Sequence, residues 1–332
     1  MLTIVVPGVL APADAPAAIR GARLPALEKW LARADAERVP VAGAAGWLAS
    51  AWGLAEPVPH AAVELAAADA PPPGTWMRAD PVHLRVEGDG VVLHSGSRLD
   101  LTVEEAAALV AALGAHFRDD GLEFHAPAPG RWYVRVPEGE VPETTALEAA
   151  LGRNVFGLLP RGAGRINWRS AITEAQMLLS THAVNERREA EGRLAANSVW
   201  FWGGGALPDR VERAFATVYA DDPFARGLAQ AARVRSRPLP ASLADVRPSD
   251  AGGTLVVLDA LLEPFREGDA SRWLELALGL EAAWFAALGE AIGRFPSVRL
   301  VLPAEERTLV ATLGRMARWR VLRGRRPLAS HA

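Results

Sequence analysis

Short runs of branched apolar residues, separated by amphipathic stretches, constrain this chain more than any other feature. Such runs occur at 2–6 (LTIVV), 254–262 (TLVVLDALL) and 298–302 (VRLVL). Strands that are apolar on both faces are typical of parallel sheets covered by helices. Apolar residues at helical spacing follow the first run at 24–35 and separate the other two at about 270–293. The pattern therefore predicts an α/β core with a mostly parallel sheet.

A break in this pattern near residue 73 predicts a second domain. The segment ADAPPPG at 68–74 can continue neither a helix nor a strand. After it, WMRADPVHLRV and VVLHS read as a hairpin, and LEFHA and RWYVRV as two further strands. Between these pairs, Thr102 and Glu105 have the spacing of a capping box at the start of a helix that Gly121 ends.

A helix predicted over 170–192 leads back to the core, and SVWFW at 198–202 is predicted as a strand. RWRVLRG near the C-terminus is predicted as an edge strand. We therefore predict a core domain formed by 1–73 and 195–332, and an inserted, smaller α+β domain with a helical return at 74–194.

Composition excludes several classes of function. The 332 residues include no cysteine, which excludes disulfides and thiolate metal sites. The apolar N-terminus has no basic segment before it and breaks at Pro7, so it does not resemble a signal peptide. No unbroken apolar stretch reaches the roughly 18 residues of a membrane span. We expect a cytoplasmic protein with no membrane partner, and a formal charge of −3 gives no general case for nucleic acid.

Motifs for nucleophilic and metal-dependent catalysis are weak. The seven histidines show no HExxH or other compact metal spacing, so no catalytic residue and no cofactor are predicted from them. No GxSxG elbow occurs, and Ser50 in WLASAW is the one alternative nucleophile that the pattern offers.

Two arginines are candidates for anion binding. Arg78 lies on the strand RADPVHLR, and Arg188 lies beside Asn185 in the helical segment NERRE. Together they have the chemistry of a bidentate anion clamp. The alternative is an arginine–carboxylate pair between domains, and the sequence does not choose between the two.

The glycines of FWGGGALP also have two interpretations. They match neither a Walker A loop nor a GxGxxG fingerprint. One interpretation is close backbone approach to an anionic ligand, and the other is a left-handed turn that leaves a strand. Taken alone, the glycines favour the turn.

A basic stretch lies near the C-terminus and includes Trp319. Its arginines are Arg315, Arg318, Arg320, Arg323, Arg325 and Arg326. Such a run has the composition of a nucleic-acid contact but is more often a solvated edge. A nucleic-acid partner is therefore not the expectation.

The segment HAVNERREAEGRLAANSVWFWGGGALP resembles the archaeal-type cofactor-independent phosphoglycerate mutases. Those enzymes carry Asn-x-x-Arg-x-x-x-Gly, an Asn, a strand, and Trp-Gly-x-Gly-x-x-Pro. The matching residues here are Asn185, Arg188, Gly192, Asn197, Trp202, Gly203, Gly205 and Pro208. Arg78 matches the arginine of the family's Phe-Arg-x-Asn strand, where Asp80 replaces the asparagine. The resemblance implies an alkaline-phosphatase-like three-layer core, with Asn185, Asn197, Arg78 and Arg188 as anion-binding candidates and Trp202, Gly203 and Gly205 in a loop.

The resemblance also implies two bound metal ions, and the chain departs from that ligand set. The family's Asp-Gly after the first strand is Pro7-Gly8 here, and the later histidine motifs are replaced by VVLDALLEPFREGD and RLVLPAEERTL. The carboxylates left near those places are Asp259, Glu263, Asp269 and Glu305. We expect no bound metal, and the alternative is a rebuilt oxygen-ligand site for Mn²⁺ or Mg²⁺.

The strings WMRADPVHL, TEAQMLL and NSVWFWGGG also resemble bacterial regulatory proteins of the Rpf type. The sequence therefore predicts a catalytically degenerate, phosphoglycerate-mutase-like protein that regulates or binds. Its expected partner is a phosphorylated small molecule or a protein. The alternative is an active metal-dependent phosphomutase or phosphatase.

Overall fold

The structure is a computed structural model of the whole chain. It describes residues 1–11, 15–41, 43–68, 72–88, 90–94, 99–162, 164–304, 306–320, 324 and 326–331. The chain folds into two compact units. The first unit comprises Met1–Ala55 and Arg210–Ala332, and the second comprises Glu56–Asp209.

Strands and α-helices are interleaved along the chain in both units. The strands are β1 Leu2–Val5, β2 Asp35–Val39, β3 Thr75–Glu87, β4 Gly90–His94, β5 Glu123–Ala128, β6 Arg131–Val136, β7 Ser198–Ala206, β8 Thr217–Tyr219, β9 Arg235–Arg237, β10 Thr254–Val257, β11 Ser297–Pro303 and β12 Thr308–Gly314. The α-helices are α1 Ala17–Arg20, α2 Pro25–Arg33, α3 Gly43–Ala51, α4 His60–Leu65, α5 Val103–His116, α6 Leu147–Ala150, α7 Trp168–Ser180, α8 Ala183–Ala190, α9 Pro223–Ala231, α10 Leu262–Glu267, α11 Ala270–Leu280 and α12 Leu288–Arg294.

Within its described residues, the first unit contains a seven-stranded sheet in the order β2-β12-β11-β1-β10-β8-β9. β1 pairs in parallel with β10 and β11, and β8 pairs in parallel with β10 and β9. One sheet face packs with α2, α11 and α12 in a single apolar cluster. Helices α3 and α9 contact strands β11 and β8 and bury Trp47, Leu48, Phe224 and Leu228. The predicted α/β core with a mostly parallel sheet is confirmed.

The second unit is built on an antiparallel sheet. β4, β3, β6 and β5 are neighbours in that order, and β7 pairs with β3. The capping box is confirmed, because Thr102 accepts from the Glu105 N–H at 3.1 Å and Glu105 accepts from the Thr102 N–H at 3.0 Å. Helices α5 and α7 pack on one apolar cluster of this sheet with Trp132 and Phe201.

The boundaries of the compact units differ from the sequence-based positions near 73 and 195. Helix α4 lies in the second unit because it packs on β3 and β7, and β7 lies there because it pairs with β3 from Thr75 to Val82. The contacts of β7 with α4 and β3 join residues more than 100 positions apart, so no local pattern carries them.

Several predicted elements have other bounds. β10 ends at Val257, and residues 259–261 form a 3₁₀ turn. The helix predicted over 170–192 is two helices, because His182 caps α8 by accepting from the Val184 N–H. The predicted edge strand RWRVLRG spans 318–324, and its residues 318 and 319 end the 3₁₀ helix Arg315–Trp319, while 321–323 lie outside the described residues. The antiparallel strands β2 and β12 are absent from the sequence interpretation, and the exposed residues of DAERV in β2 gave no buried-strand signal.

One helical stretch, Ala270–Arg294, has the length and apolar composition of a membrane-crossing helix. The sequence interpretation sought an unbroken apolar run and did not select it. Trp273, Ala277 and Phe285 from this stretch are fully buried in the core of the first unit. Part of the stretch therefore packs in the core of this unit, and 39% of its apolar window is buried.

Candidate functional site

The turn after β1 lies at the carboxyl edge of the parallel strands, where α/β folds usually bind ligands. Pro7 and Gly8 are buried, and Gly8 has φ +75°. A Cβ atom at Gly8 would lie 2.9 Å from the Leu261 carbonyl oxygen. The Gly8 carbonyl accepts a hydrogen bond from the indole of the fully buried Trp273 at 2.8 Å. Backbone and indole therefore close this turn tightly.

Two carboxylates lie just beyond neighbouring strands at the same edge. Asp259 follows β10 and Asp221 follows β8, and these strands pair in parallel. Burial raises the pKa of Asp259, and the nearby charge of Asp221 raises it further. Asp221 Oδ1 accepts from the Leu239 N–H at 3.2 Å. The sequence search did not select Asp221, because the run ending in YADD carried no recognised motif.

The other metal candidates do not complete a site in the described part of the chain. Glu263 is exposed on α10, and Asp269 caps α11 by accepting from the Arg272 N–H at 2.9 Å. Glu305 lies outside the described residues. No group of three or more histidine, aspartate or glutamate side chains among the described residues is arranged to hold a metal ion. With Pro7 in place of a carboxylate, the described residues do not fit the two-ion site that the resemblance implies.

Ser50 lies in the last turn of α3 and is exposed. Nucleophilic catalysis requires a base within hydrogen-bond reach of the hydroxyl. No hydrogen bond of the Ser50 hydroxyl to a described residue is observed. Its role as the alternative nucleophile stays a prediction.

The second unit holds a buried ionic network around Arg78. The guanidinium donates from Nη1 to Glu64 Oε2 at 2.5 Å, and from Nε and Nη2 to Asp80 Oδ1, the Nε contact measuring 3.0 Å. The side chain of Arg78 is 11% exposed, that of Glu64 is 6% exposed and that of Asp80 is 2% exposed. One buried cation is thus shared by two buried carboxylates, and each of its three nitrogens donates to a carboxylate oxygen inside the protein.

Aromatic and imidazole groups complete this network. Trp202 donates from Nε1 to Asp80 Oδ2 at 2.6 Å, and Tyr133 donates its hydroxyl to Glu64 Oε2 at 2.7 Å. The His60 Nδ1 atom lies 3.4 Å from Glu64 Oε1, and its ring packs on Trp202 with 4.6 Å between centroids. Each carboxylate oxygen in the network therefore faces a donor or a cationic group.

Burial and pairing shift the pKa values of the network in different directions. Burial alone would raise the pKa of Glu64, but Arg78 and then His60 lower it by more, so it lies well below its usual range. Burial raises the pKa of Asp80 although Arg78 and Trp202 oppose the change. Burial and the Glu64 charge raise the pKa of the Tyr133 hydroxyl, which stays protonated as a donor.

Arg188 lies in a separate buried network. It donates from Nη1 to Glu105 Oε2 at 2.6 Å, from Nε to the Leu194 carbonyl at 2.9 Å, and from Nη2 to the Leu99 carbonyl. Arg193 donates to the other Glu105 oxygen at 3.0 Å. Arg78 and Arg188 thus bind different carboxylates rather than one anion, and all three carboxylates belong to the second unit, as the arginines do.

The two asparagines bind backbone. Asn185 donates to the Leu179 and Ala196 carbonyls and accepts from the Ala196 N–H at 2.9 Å. Asn197 accepts from the Leu84 N–H at 2.7 Å and donates to the Leu84 carbonyl at 2.9 Å, which extends the β3–β7 pairing by one residue. Their amide groups hold the loop between α8 and β7 in place.

The expectation that the glycines of FWGGG form a turn after the strand is wrong. Gly203 and Gly205 lie inside β7, where its register with β3 shifts between Trp76 and Arg78. Gly203 has φ +60°, and a Cβ there would lie 2.7 Å from His60 Cβ. The glycines allow close approach, but the neighbour is the start of α4.

Glu64, Tyr133 and Glu105 complete these networks, and the sequence search did not select them as site residues. Glu64 is the one acid of the apolar helix HAAVEL, which is the local signal that could have found it. Tyr133 reads simply as an apolar position of the strand RWYVRV. Their proximity to Arg78 arises from the packing of α4, β3 and β6.

Curated relatives with matching segments are phosphoglycerate mutases. The chain is 30% identical over 110 residues to the 2,3-bisphosphoglycerate-independent phosphoglycerate mutase of Methanosarcina barkeri, a match covering 32% of this chain and 28% of that protein. It is 27% identical over 148 residues to the probable 2,3-bisphosphoglycerate-independent phosphoglycerate mutase of Geobacter sulfurreducens, covering 44% and 36%. No protein-family model matches the chain.

Among solved structures, the PH0037 protein of Pyrococcus horikoshii has the same fold, with a TM-score of 0.54 and 12% identity over 94% of this chain and 87% of that chain. The chain is homologous to cofactor-independent phosphoglycerate mutases. The matched segments span only about a third of the length of these curated relatives.

Proposed function

We propose that this protein is a catalytically degenerate homologue of the phosphoglycerate mutases that acts by binding a partner protein. The observation that carries the proposal is the turn at Pro7 and Gly8. Proline supplies no ligand where the resemblance puts a metal-binding aspartate. The turn is closed by the Leu261 backbone and by the Trp273 indole, which bonds Gly8 at 2.8 Å.

The arginine networks favour a protein partner over a phosphorylated small molecule. An anion clamp needs guanidinium groups with free donors. Arg188 is 1% exposed and bonded to one carboxylate and two carbonyls, and Arg78 is bonded to two carboxylates. Binding of a phosphate by either arginine would first have to break a buried ion pair, which is costly.

We further propose that the protein is a regulatory protein of the bacterial Rpf type and works in the cytoplasm. The strings WMRADPVHL, TEAQMLL and NSVWFWGGG support the first assignment, and the absence of cysteine is compatible with the second. Two of the three strings contribute Arg78, Asp80 and Trp202 to the buried ionic network.

A metal-dependent phosphomutase or phosphatase is the second candidate, and Asp259 favours it. Partial burial and the nearby negative charge of Asp221 raise the free energy of the ionised form of Asp259. A divalent cation would relieve this repulsion. The two functions make opposite predictions for metal binding.

Turnover and metal binding can be measured on the purified chain. The assay follows conversion between 3-phosphoglycerate and 2-phosphoglycerate by ³¹P NMR with Mn²⁺, Mg²⁺, Co²⁺ or Zn²⁺, and the Methanosarcina barkeri mutase is the positive control. We expect no conversion above the protein-free rate. We also expect the heat measured on adding Mn²⁺ to be the same for the unaltered chain and for Asp259→Asn. Conversion that Asp259→Asn abolishes would overturn the proposal in favour of the enzyme.

A further inference from the structure

The 3₁₀ helix Arg315–Trp319 in the first unit presents two rows of side chains. Because a 3₁₀ helix has three residues per turn, side chains three positions apart lie above one another. Ala317 points inward and is 2% exposed, whereas Met316 is 66% and Trp319 71% exposed. Arg315 and Arg318 form the second row, and both are exposed. An apolar row and a cationic row therefore lie side by side.

Contacts of the backbone hold this helix in place and leave both rows available. Arg33 Nη1 donates to the Arg318 carbonyl at 3.3 Å. Just after the helix, Arg320 Nη1 pairs with Asp35 Oδ1 at 2.6 Å and also donates to the Arg33 carbonyl. The helix packs on α2, α12 and β12. The exposed Trp319 therefore belongs to a helix that is packed against α2, α12 and β12.

The charge around the apolar row is positive. No described carboxylate lies within ion-pair distance of Arg315 or Arg318. Asp35 is engaged by Arg320, and α12 carries Glu290 and Arg294, whose charges cancel. The whole chain has a formal charge of −3, so this surface is opposite in sign to the protein as a whole. Arg323 and Arg325, counted with this stretch in the sequence, lie outside the described residues.

We infer that this surface docks a partner protein that presents an apolar pocket rimmed by carboxylates. The inference rests on the proposed binding function and names the surface that performs it. Trp, Met and Arg are enriched at protein interfaces, and a buried tryptophan is a frequent energetic anchor. Trp319 and Met316 would fill the pocket, and Arg315 and Arg318 would meet its acidic rim.

Other occupants fit less well. A second copy in a two-fold dimer would place the same patch against itself, and the arginine rows would repel. Single-stranded nucleic acid needs a cationic track along several phosphates as well as a stacking ring. The two exposed arginines of this helix supply a short cationic row beside an apolar one.

Site-specific photocrosslinking in cells of the source organism tests the inference. Benzoylphenylalanine replaces Trp319 in one variant and Phe156, which is 60% exposed in the second unit, in a control variant. We expect a protein adduct from position 319 that position 156 does not give. Mass spectrometry should place the crosslink on a partner segment with apolar residues flanked by aspartate or glutamate.

The purified partner is then titrated against full-length variants. Arg315→Glu/Arg318→Glu and Trp319→Ala should each raise Kd at least tenfold, and added salt should weaken binding of the unaltered chain. The matched control Arg210→Glu/Arg226→Glu reverses two other exposed arginines of the same unit and should leave Kd within twofold. Thermal unfolding of each variant checks that it is folded.

Three results would overturn the inference: adducts only with a second copy of the chain, adducts only with nucleic acid, or no adduct above the level at position 156. A partner whose Kd is unchanged by both Trp319→Ala and Arg315→Glu/Arg318→Glu would also overturn the inference. These results differ from the result that would overturn the proposed function. Turnover of phosphoglycerate would overturn the proposed function regardless of what residue 319 contacts.

Discussion

The indole N–H of Trp202 donates to Asp80 Oδ2 at 2.6 Å across the paired strands β7 and β3. The other oxygen of Asp80 accepts twice from Arg78. A carboxylate suits this position because all its neighbours are donors, whereas an asparagine would turn its own NH₂ toward one of them. The aspartate at the position where the mutase pattern has asparagine is thus matched to its surroundings.

Replacing Arg78 should strongly destabilise the second unit. Arg78→Met leaves Glu64 and Asp80 buried without their cation, and breaking a buried pair in this way costs about 3–5 kcal/mol. Urea unfolding followed by tryptophan fluorescence measures the change. The control Arg85→Met removes an exposed side chain 3.9 Å from Glu87 and should change the free energy of unfolding by less than about 0.5 kcal/mol. Equal losses in the two variants would contradict the role assigned to Arg78.

The contribution of Glu64 should depend on pH. Because its folded pKa is lowered, its ionised form stabilises the fold above the unfolded pKa of about 4.3, and this contribution is lost as pH falls toward the folded value. Glu64→Gln should cost about 1–3 kcal/mol at pH 7 and less at pH 3, measured by urea unfolding at both pH values. The exposed Glu143→Gln should show no such trend. A loss that is the same at pH 7 and pH 3 would refute the ionised state of Glu64.

A graded glycine series separates backbone strain from close packing. Gly130 has φ below zero and open space around it, so Gly130→Ala should be neutral or slightly stabilising. Gly268 has φ +68° and open space around it, so Gly268→Ala should lower the free energy of unfolding by about 1 kcal/mol. Gly203→Ala has φ +60° and a Cβ 2.7 Å from His60 Cβ, so it should cost about 2 kcal/mol or more. Thermal unfolding gives the order, and a Gly203→Ala variant no worse than Gly268→Ala would contradict the close contact with α4.

Asp259→Asn should stabilise the chain at neutral pH. Since the folded pKa of Asp259 is raised, its ionised form is penalised at pH 7, and the penalty fades as pH falls through that raised pKa toward the unfolded value of about 3.9. The free energy of unfolding of Asp259→Asn should exceed that of the unaltered chain at pH 7, the gain should vanish near pH 3, and the exposed Glu263→Gln should show neither effect. If Mn²⁺ raises the melting temperature of the unaltered chain but not of Asp259→Asn, the aspartate is a metal ligand instead.

Local patterns were sufficient for much of the fold. The apolar runs at 2–6 and 298–302 became β1 and β11, and the Thr102–Glu105 pair caps α5 as its spacing predicted. The strand β12 escaped the sequence interpretation although TLVATLG is partly apolar, because its antiparallel place beside β11 depends on a partner rather than on its own pattern. Residues 318 and 319, which end the 3₁₀ helix Arg315–Trp319, were likewise predicted as the start of an edge strand.

The candidate site was harder to predict, because its chemistry depends on which groups meet. Arg78 and Arg188 were predicted as anion-binding candidates, but a guanidinium looks the same in the sequence whether it faces phosphate or a buried carboxylate. The pairing of Arg78 with Glu64 depends on the packing of α4 against β3. The meeting of Asp221 and Asp259 depends on the parallel pairing of β8 and β10.

By itself, the sequence determined the α/β core, the antiparallel second unit and the start of α5, because each follows from side-chain type and spacing along a few residues. Only the tertiary structure decided the partners of Arg78 and Arg188, the insertion of FWGGG into β7 against α4, and the separation of exposed Trp319 from buried Ala317. Hydrogen bonds, ion pairs and burial at those places join residues that are distant in the chain, and they exist only once the sheets and helices have packed.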